Sequence, residues 1–232
     1  MGIKSCSEIK EAFKDWDFLK KLPPKITDFT LTVPLEETGL ELIFVRYSKD
    51  NNYSVELIYT EETGDFVVVK NAGLFRFRDD RYYFRDGEQF AKEVGPHLEM
   101  ILNELGGQDK RYPASVFGLD FANWQDWTGL PKQVGDFQLV ITPARPLRYI
   151  NGSWVLFAYE DVKNGHQLAI FYNEFRNEVF GELKRRGVFE ATSDFSLSFD
   201  ENCYQHKPEQ FLPDVTTLIT KNLEIALKKL IS

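Results

Sequence analysis

The chain writes one sixteen-residue stretch twice, and that repetition restricts its fold more than any other feature. Residues 16–31 return 108 positions later as residues 124–139, pairing Trp16 with Trp124, Leu22 with Leu130, Pro23 with Pro131, Asp28 with Asp136, Phe29 with Phe137 and Leu31 with Leu139. Six identities in sixteen positions compare with roughly one expected by chance, so internal repetition is weighed before any fold class. The register then lengthens. At a shift of 113 Phe44 meets Phe157, Asn51 meets Asn164, Tyr59 meets Tyr172 and Glu61 meets Glu174. At 121 Asp79 meets Asp200, Tyr83 meets Tyr204, Glu88-Gln89-Phe90 meet Glu209-Gln210-Phe211, and Val94 meets Val215. Insertions confined to loops are what a duplicated module should show.

Within each copy the periodicities change in the same order. Ser5 with Glu8 three residues on forms a capping box, and Ile9, Ala12, Phe13 and Trp16 follow at helical spacing, predicting a helix over 5–20. A counterpart is expected to begin near Ser115, carrying Phe117, Phe121 and Trp124 on its stripe. Both tryptophans read as core anchors. Leu22-Pro23 ends the helix. Strands are expected over 29–33, 40–47, 53–60, 66–70 and 74–84, with counterparts over 154–160, 167–173, 179–183 and 195–199. The polar segments 48–52 and 161–166 read as hairpin loops. Helices over 88–105 and 209–230 close the copies; Phe90, Val94, Leu98 and Leu102 step by four, giving one apolar face.

The expected class is therefore α+β: an internal duplication of a helix–antiparallel sheet–helix unit, its copies related by a pseudo-twofold axis. Residues 1–105 form the first repeat, 106–120 the linker and start of the second helix, and 121–232 the second repeat. Fifteen per cent aromatic residues favours sheet. A formal charge of −8 argues against general affinity for nucleic acid, which needs a basic face. The N-terminus has no apolar leader core and no run is long enough to span a bilayer, so no membrane partner is expected. Two cysteines, Cys6 and Cys203, make no disulfide framework, which suits the cytoplasm.

No catalytic constellation stands out. His97 and His166 lack partners at ligand spacing. Cys203 and His206 lie three apart, but a closed zinc site needs four ligands and no second pair follows. Neither a metal nor a cofactor is expected, and Gly106-Gly107 reads as a helix C-cap rather than a phosphate loop. The one informative cluster is residues 75–85. Phe75 and Phe77 alternate with Arg76 and Arg78, sending aromatics to one sheet face and guanidinium groups to the other. Arg81, Tyr82 and Arg85 follow an expected turn at Asp79-Asp80. The stretch matched to it at 121, residues 195–205, has no arginine. Arg76, Arg78, Arg81 and Arg85 with Tyr82 are thus the candidate binding residues for an anion or acidic partner, against the plainer reading of a solvated outer face. Lys184-Arg185-Arg186 reads as a basic loop in an insertion of the second copy.

Two functions fit these features. The first is a non-catalytic cytoplasmic interaction protein, of chaperone-like or immunity type, binding a protein partner or a small anionic ligand. It would be a monomer of pseudo-dimeric repeats or a weak homodimer. The second is an enzyme or small-molecule binder with its site in a groove between the repeats, drawing on the arginines with Tyr82, Tyr83, His166 or His206.

Overall fold

The computed structural model describes residues 3–49, 53–106, 119–121, 123–150, 152–198 and 208–231. Asp50 to Asn52, the linker at 107–118, Asp200, Cys203, Tyr204 and His206 lie outside the described residues. The chain divides into two units, Met1–Asp109 and Lys110–Ser232.

Unit one begins with α1 (Cys6–Phe13), capped by Ser5, whose hydroxyl accepts from the Glu8 N–H while the Glu8 carboxylate accepts from the Ser5 N–H. The expected helix over 5–20 is broken: Trp16 takes an extended conformation and α2 (Asp17–Lys21) restarts after it. That break lets the Trp16 indole stack on Phe13, 4.2 Å between centroids, and donate to Glu88 at 2.7 Å. Then come β1 (Lys25–Ile26), β2 (Phe29–Thr32), β3 (Glu36–Thr38), β4 (Glu41–Lys49), β5 (Tyr53–Thr60), β6 (Asp65–Ala72), β7 (Phe75–Phe84) and α3 (Gly87–Gly106). The order across this antiparallel sheet is β1-β2-β4-β5-β6-β7, with β3 also on β4.

In unit two a 3-10 turn (Asp126–Gly129) stands where unit one has α2, and the helix expected from Ser115 falls mostly outside the described residues. The strands are β8 (Gln133–Val134), β9 (Phe137–Ile141), β10 (Leu147–Arg148), β11 (Ser153–Asp161), β12 (His166–Asn173), β13 (Glu178–Arg185) and β14 (Val188–Ser198), followed by α4 (Pro208–Ile231). Their order is β8-β9-β11-β12-β13-β14, with β10 also on β11. The two sheets thus have the same strand order, and both are antiparallel, giving a mixed α+β chain.

The likeness extends to irregularities. β4 bulges between Ile43 and Val45, and β11 between Val155 and Phe157. Four or more residues of β7, and likewise of β14, bow out where the facing strand spends one or two. The expected turn at Asp79-Asp80 is this bulge inside one continuous strand. The ladders also correct the alignment at the last strand. Ala72 faces Phe75 and Phe66 faces Phe84, while Arg185 faces Val188 and Val179 faces Leu197. Both pairs keep a shift of 113, so Asp79 corresponds to Thr192 and not to Asp200. The further lengthening falls within 199–207. Lys184-Arg185-Arg186 is accordingly no insertion; it is the end of β13 and its turn.

Each sheet buries one face under its closing helix. Phe90, Val94, Leu98, Ile101 and Leu102 of α3 are buried, as are Phe211, Val215, Ile219 and Leu223 of α4. Burying each such side chain is worth about 1.5–3 kcal/mol, which exceeds the helices' intrinsic propensity. Phe44 lies among Phe13, Phe66 and Phe90 with centroids 4.9–6.2 Å away. The repeated tryptophans touch matched rings, Trp16 on Phe44 at 5.9 Å and Trp124 on Phe157 at 5.4 Å.

The repeated Leu-Pro step is held from the sheet. The Tyr47 hydroxyl of β4 donates to the Pro23 carbonyl at 2.6 Å, and Tyr159 of β11 to the Pro131 carbonyl at 2.9 Å. One residue on, the Leu31 N–H donates to the Pro24 carbonyl and the Leu139 N–H to the Lys132 carbonyl, each at 2.9 Å. Both tyrosines are fully buried. One difference in backbone is notable. The β6–β7 turn places Gly73 at φ 59°, whereas the β13–β14 turn places Arg186 at 48°, followed by Gly187 at 92°. A side chain in that left-handed region costs about 1–2 kcal/mol that glycine avoids.

Removing either tyrosine hydroxyl takes the donor from a proline carbonyl. Tyr47→Phe and Tyr159→Phe should each destabilise by about 0.5–1.5 kcal/mol in urea unfolding, and a cost under about 0.3 kcal/mol would show that the proline carbonyls need no such donor.

Candidate functional site

The arginine strand divides its side chains between the two faces of the sheet, as alternation requires at its start. Phe75 and Phe77 are buried towards α3; Arg76 and Arg78 lie on the opposite face. That face carries a small apolar cluster, Ile43, Ile58, Val67 and Val69. Glu41 holds both guanidinium groups, with Arg76 at 2.6 Å and Arg78 at 3.0 Å from its two oxygens. Beside them Arg46 donates to Glu56 across the β4–β5 ladder at 2.8 Å. Arg85 is largely exposed, 3.8 Å from Asp65, a solvated pair worth little.

Arg81 lies on the other face, with Phe75, Phe77 and Asp79. There it faces α3 and donates to both oxygens of Asp79 at 2.8 and 2.6 Å and to both oxygens of Glu104 at 3.0 and 2.6 Å. Lys70 of β6 completes the cluster, 2.9 Å from Asp79 and 2.8 Å from Glu104. Lys70, Asp79 and Glu104 are buried and Arg81 closes the cluster from its solvent side, so one lysine and two carboxylates sit in a low-dielectric pocket under a partly solvated guanidinium. Burial alone would raise both carboxyls, but hydrogen bonds from Arg81 and the charge of Lys70 outweigh it, holding each near 2. A carboxylate in the last turn of a helix opposes the macrodipole, and Glu104 is kept there by these two cations. Tyr82, also buried, lies 5.3 Å beneath the Arg81 guanidinium, and burial raises its hydroxyl. Sequence reasoning missed Lys70 and Glu104. Their signal was a lone lysine ending the run Val67-Val68-Val69 and a glutamate inside the apolar stripe of α3.

In unit two the residues corresponding to Lys70, Asp79, Arg81 and Glu104 are Leu183, Thr192, Asp194 and Ile225. The charge cluster belongs to unit one. Of the histidines, His97 is exposed, with Nδ1 2.7 Å from the Glu93 carbonyl, and His166 is buried at the head of β12 instead of standing in a loop. Cys6 is buried and free, and burial beside Glu61 raises its thiol to about 11. Among the described residues no cluster of three or more His, Cys, Asp or Glu could hold a metal, and no helix is long and apolar enough to cross a membrane.

The repeated stretch itself borders an apolar concavity of unit one. A cleft of about 390 Å³ lies between Phe18, Lys21, Leu22, Pro23 and Ile26 on one side and Ala91, Gly95, Pro96, Leu98 and Glu99 of α3 on the other. Its floor exists because α3 turns small residues to it. A Cβ on Gly95 would stand 3.5 Å from the Phe18 ring. Pro96 has no N–H to give the Lys92 carbonyl, which loosens the helix at the same place. Unit two has Leu212 for Ala91 and Thr216 for Gly95. Leu212 is buried, and the Trp124 indole N–H donates to the Thr216 hydroxyl at 3.2 Å. Both side chains are larger than the residues at the same positions of unit one.

Acid should act on the buried cluster with a definite sign. The folded-state values near 2 lie below unfolded values near 4, so the stabilisation is complete above about pH 4 and is lost as pH falls towards 2. Urea midpoints of unit one should drop in that window, and Lys70→Met should cost about 3 kcal/mol at neutral pH. A loss centred above pH 5 would contradict this arrangement. No protein-family model, curated protein or solved structure matches the chain.

Proposed function

We propose that the chain is a non-catalytic binding protein of the cytoplasm, built by internal duplication of one α+β module, and that unit one grips an apolar side chain of a protein partner in the cleft between the repeated stretch and α3. The observation that carries this reading is the contrast at two helical positions. Ala91 and Gly95 line an open cleft in unit one, while the corresponding positions of unit two carry larger side chains, Leu212, which is buried, and Thr216, which accepts from the Trp124 indole. Copies that share their core should differ where selection acts on something other than the fold. The volume of about 390 Å³ falls in the range of ligand pockets. Phe18, Leu22, Ile26 and Leu98 supply apolar walls, with Lys21 and Glu99 among the lining residues to orient what enters. The arginines of β7 are engaged by Glu41, Asp79 and Glu104, which accounts for three of their four charges within the chain.

Transplanting the residues of unit two tests this directly. Ala91→Leu with Gly95→Thr fills the cleft with side chains the module already accommodates, so thermal stability should stay the same or rise. As baits in a pull-down, the wild type should retain a partner that the double variant loses by about ten-fold or more, as expected when a central anchor pocket is blocked. Retention of the same polypeptides by both baits would overturn the reading.

A further inference from the structure

The end of unit two formed by the β13–β14 turn and the last turn of α4 carries a combination that unit one lacks. The turn is Arg186-Gly187, both at positive φ, a type I′ geometry that ordinarily takes Asn-Gly. Unit one makes the corresponding turn with Gly73-Leu74 and needs no charge there. An arginine is therefore kept at a strained position where glycine or asparagine would serve the fold better, and strain of this kind concentrates at functional places. Its surroundings repeat the theme. Arg185 reaches across to the Lys229 carbonyl at the end of α4, tying the turn to the helix. Lys184 lies 4.9 Å above the Phe189 ring. A Cβ on Gly165 would come within 3.8 Å of the Arg186 Cα, which brings the Val162-Lys163 turn alongside.

The charges at this end do not cancel. Lys229 is engaged by Asp194 and Lys228 by Glu224, whereas Lys163 and Arg186 are exposed and have no carboxylate partner among the described residues. Exposed apolar side chains stand at the same end, Val188 at 64% on the face of Arg185, Phe189 at 40% on the face of Lys184, and Ile231 at 67% at the end of α4. Arginine forks beside an exposed aliphatic side chain suit carboxylates set next to apolar side chains.

We propose that this turn is a docking surface for an acidic segment of a partner protein, with carboxylates on Arg185 and Arg186 and an apolar side chain against Val188, which shares the face of Arg185. The surface is independent of the cleft beside α3. Charge decides between a short acidic segment and an anionic bilayer. The chain carries −8 overall, so an extended anionic surface meets net repulsion. A segment of a few residues responds only to charges within a Debye length of about 8–10 Å, where this end is basic.

The test uses the full chain and a labelled peptide of about twelve residues alternating glutamate with leucine and phenylalanine, its glutamate-to-lysine twin, and vesicles containing phosphatidylserine. Fluorescence anisotropy should show saturable binding of the acidic peptide, none of the basic one, and weakening of about ten-fold or more between roughly 50 and 300 mM salt. Arg186→Asn should bind at least about three-fold more weakly while its Tm holds or rises, because Asn-Gly suits the turn. Adding Arg185→Glu should bring the loss to about ten-fold or more. Equal binding of the two peptides, unchanged binding by the double variant, or vesicle binding in place of peptide binding would each overturn the proposal.

Discussion

A buried tyrosine hydroxyl on a proline carbonyl is the contact on which each unit depends. A proline that ends a helix has no N–H, and its own carbonyl must be satisfied if the chain is to turn directly into a buried strand. Tyr47 and Tyr159 supply that donor from the middle of the sheet, fixing where the entering segment crosses and therefore where the repeated tryptophan comes down on the core. The closing helix then has a defined floor to cover. In both units a matching carbonyl, strand and hydroxyl do this, which gives the Leu-Pro step common to the two stretches a structural role.

That shared constraint separates what the module requires from what it tolerates. Strand order, the bulges and the helix face are common to both units. The four-membered ion cluster and the basic turn each occur in one unit among the described residues, and each sits where the framework already holds. The ion cluster is the clearest case. Its four positions are Leu183, Thr192, Asp194 and Ile225 in unit two, so the bulged strand forms with or without it. Buried charges of this kind add specificity of position, here of the α3 C-terminus against β7, more than net stability.

Much of the fold was legible in residues of regular period. Phe90, Val94, Leu98 and Leu102 announced α3, and the alternation from Phe75 to Arg78 announced the faces of β7, because side-chain direction there follows from local geometry alone. What failed to show in the sequence depends on departures from regularity. The bulge at Asp79 to Tyr82 reads as a turn in the sequence, so Arg81 looks as if it lay beyond the strand, whereas it stays on the face of Phe75 and Phe77 and reaches Glu104. The register of the closing helices, carried back into the last strand, made residues 195–205 look like the counterpart of the arginine strand, when the ladders place that counterpart at Val188 to Leu197. The cleft was equally hidden, since small residues such as Ala91 and Gly95 are noticeable only once Leu212 and Thr216 are seen in the same positions. The Tyr47–Pro23 bond joins residues that no local pattern relates.

The ionisation of the two latch tyrosines tests the account most directly. Burial holds Tyr47 up at about 12 and raises Tyr159 further above its ordinary value. In a protein labelled at the tyrosine ζ-carbon, their resonances, assigned by loss in Tyr47→Phe and Tyr159→Phe, should stay fixed while exposed tyrosines titrate near pH 10. If both shift with midpoints near 10 in the folded protein, the hydroxyls are in water and the proline carbonyls are held by something else.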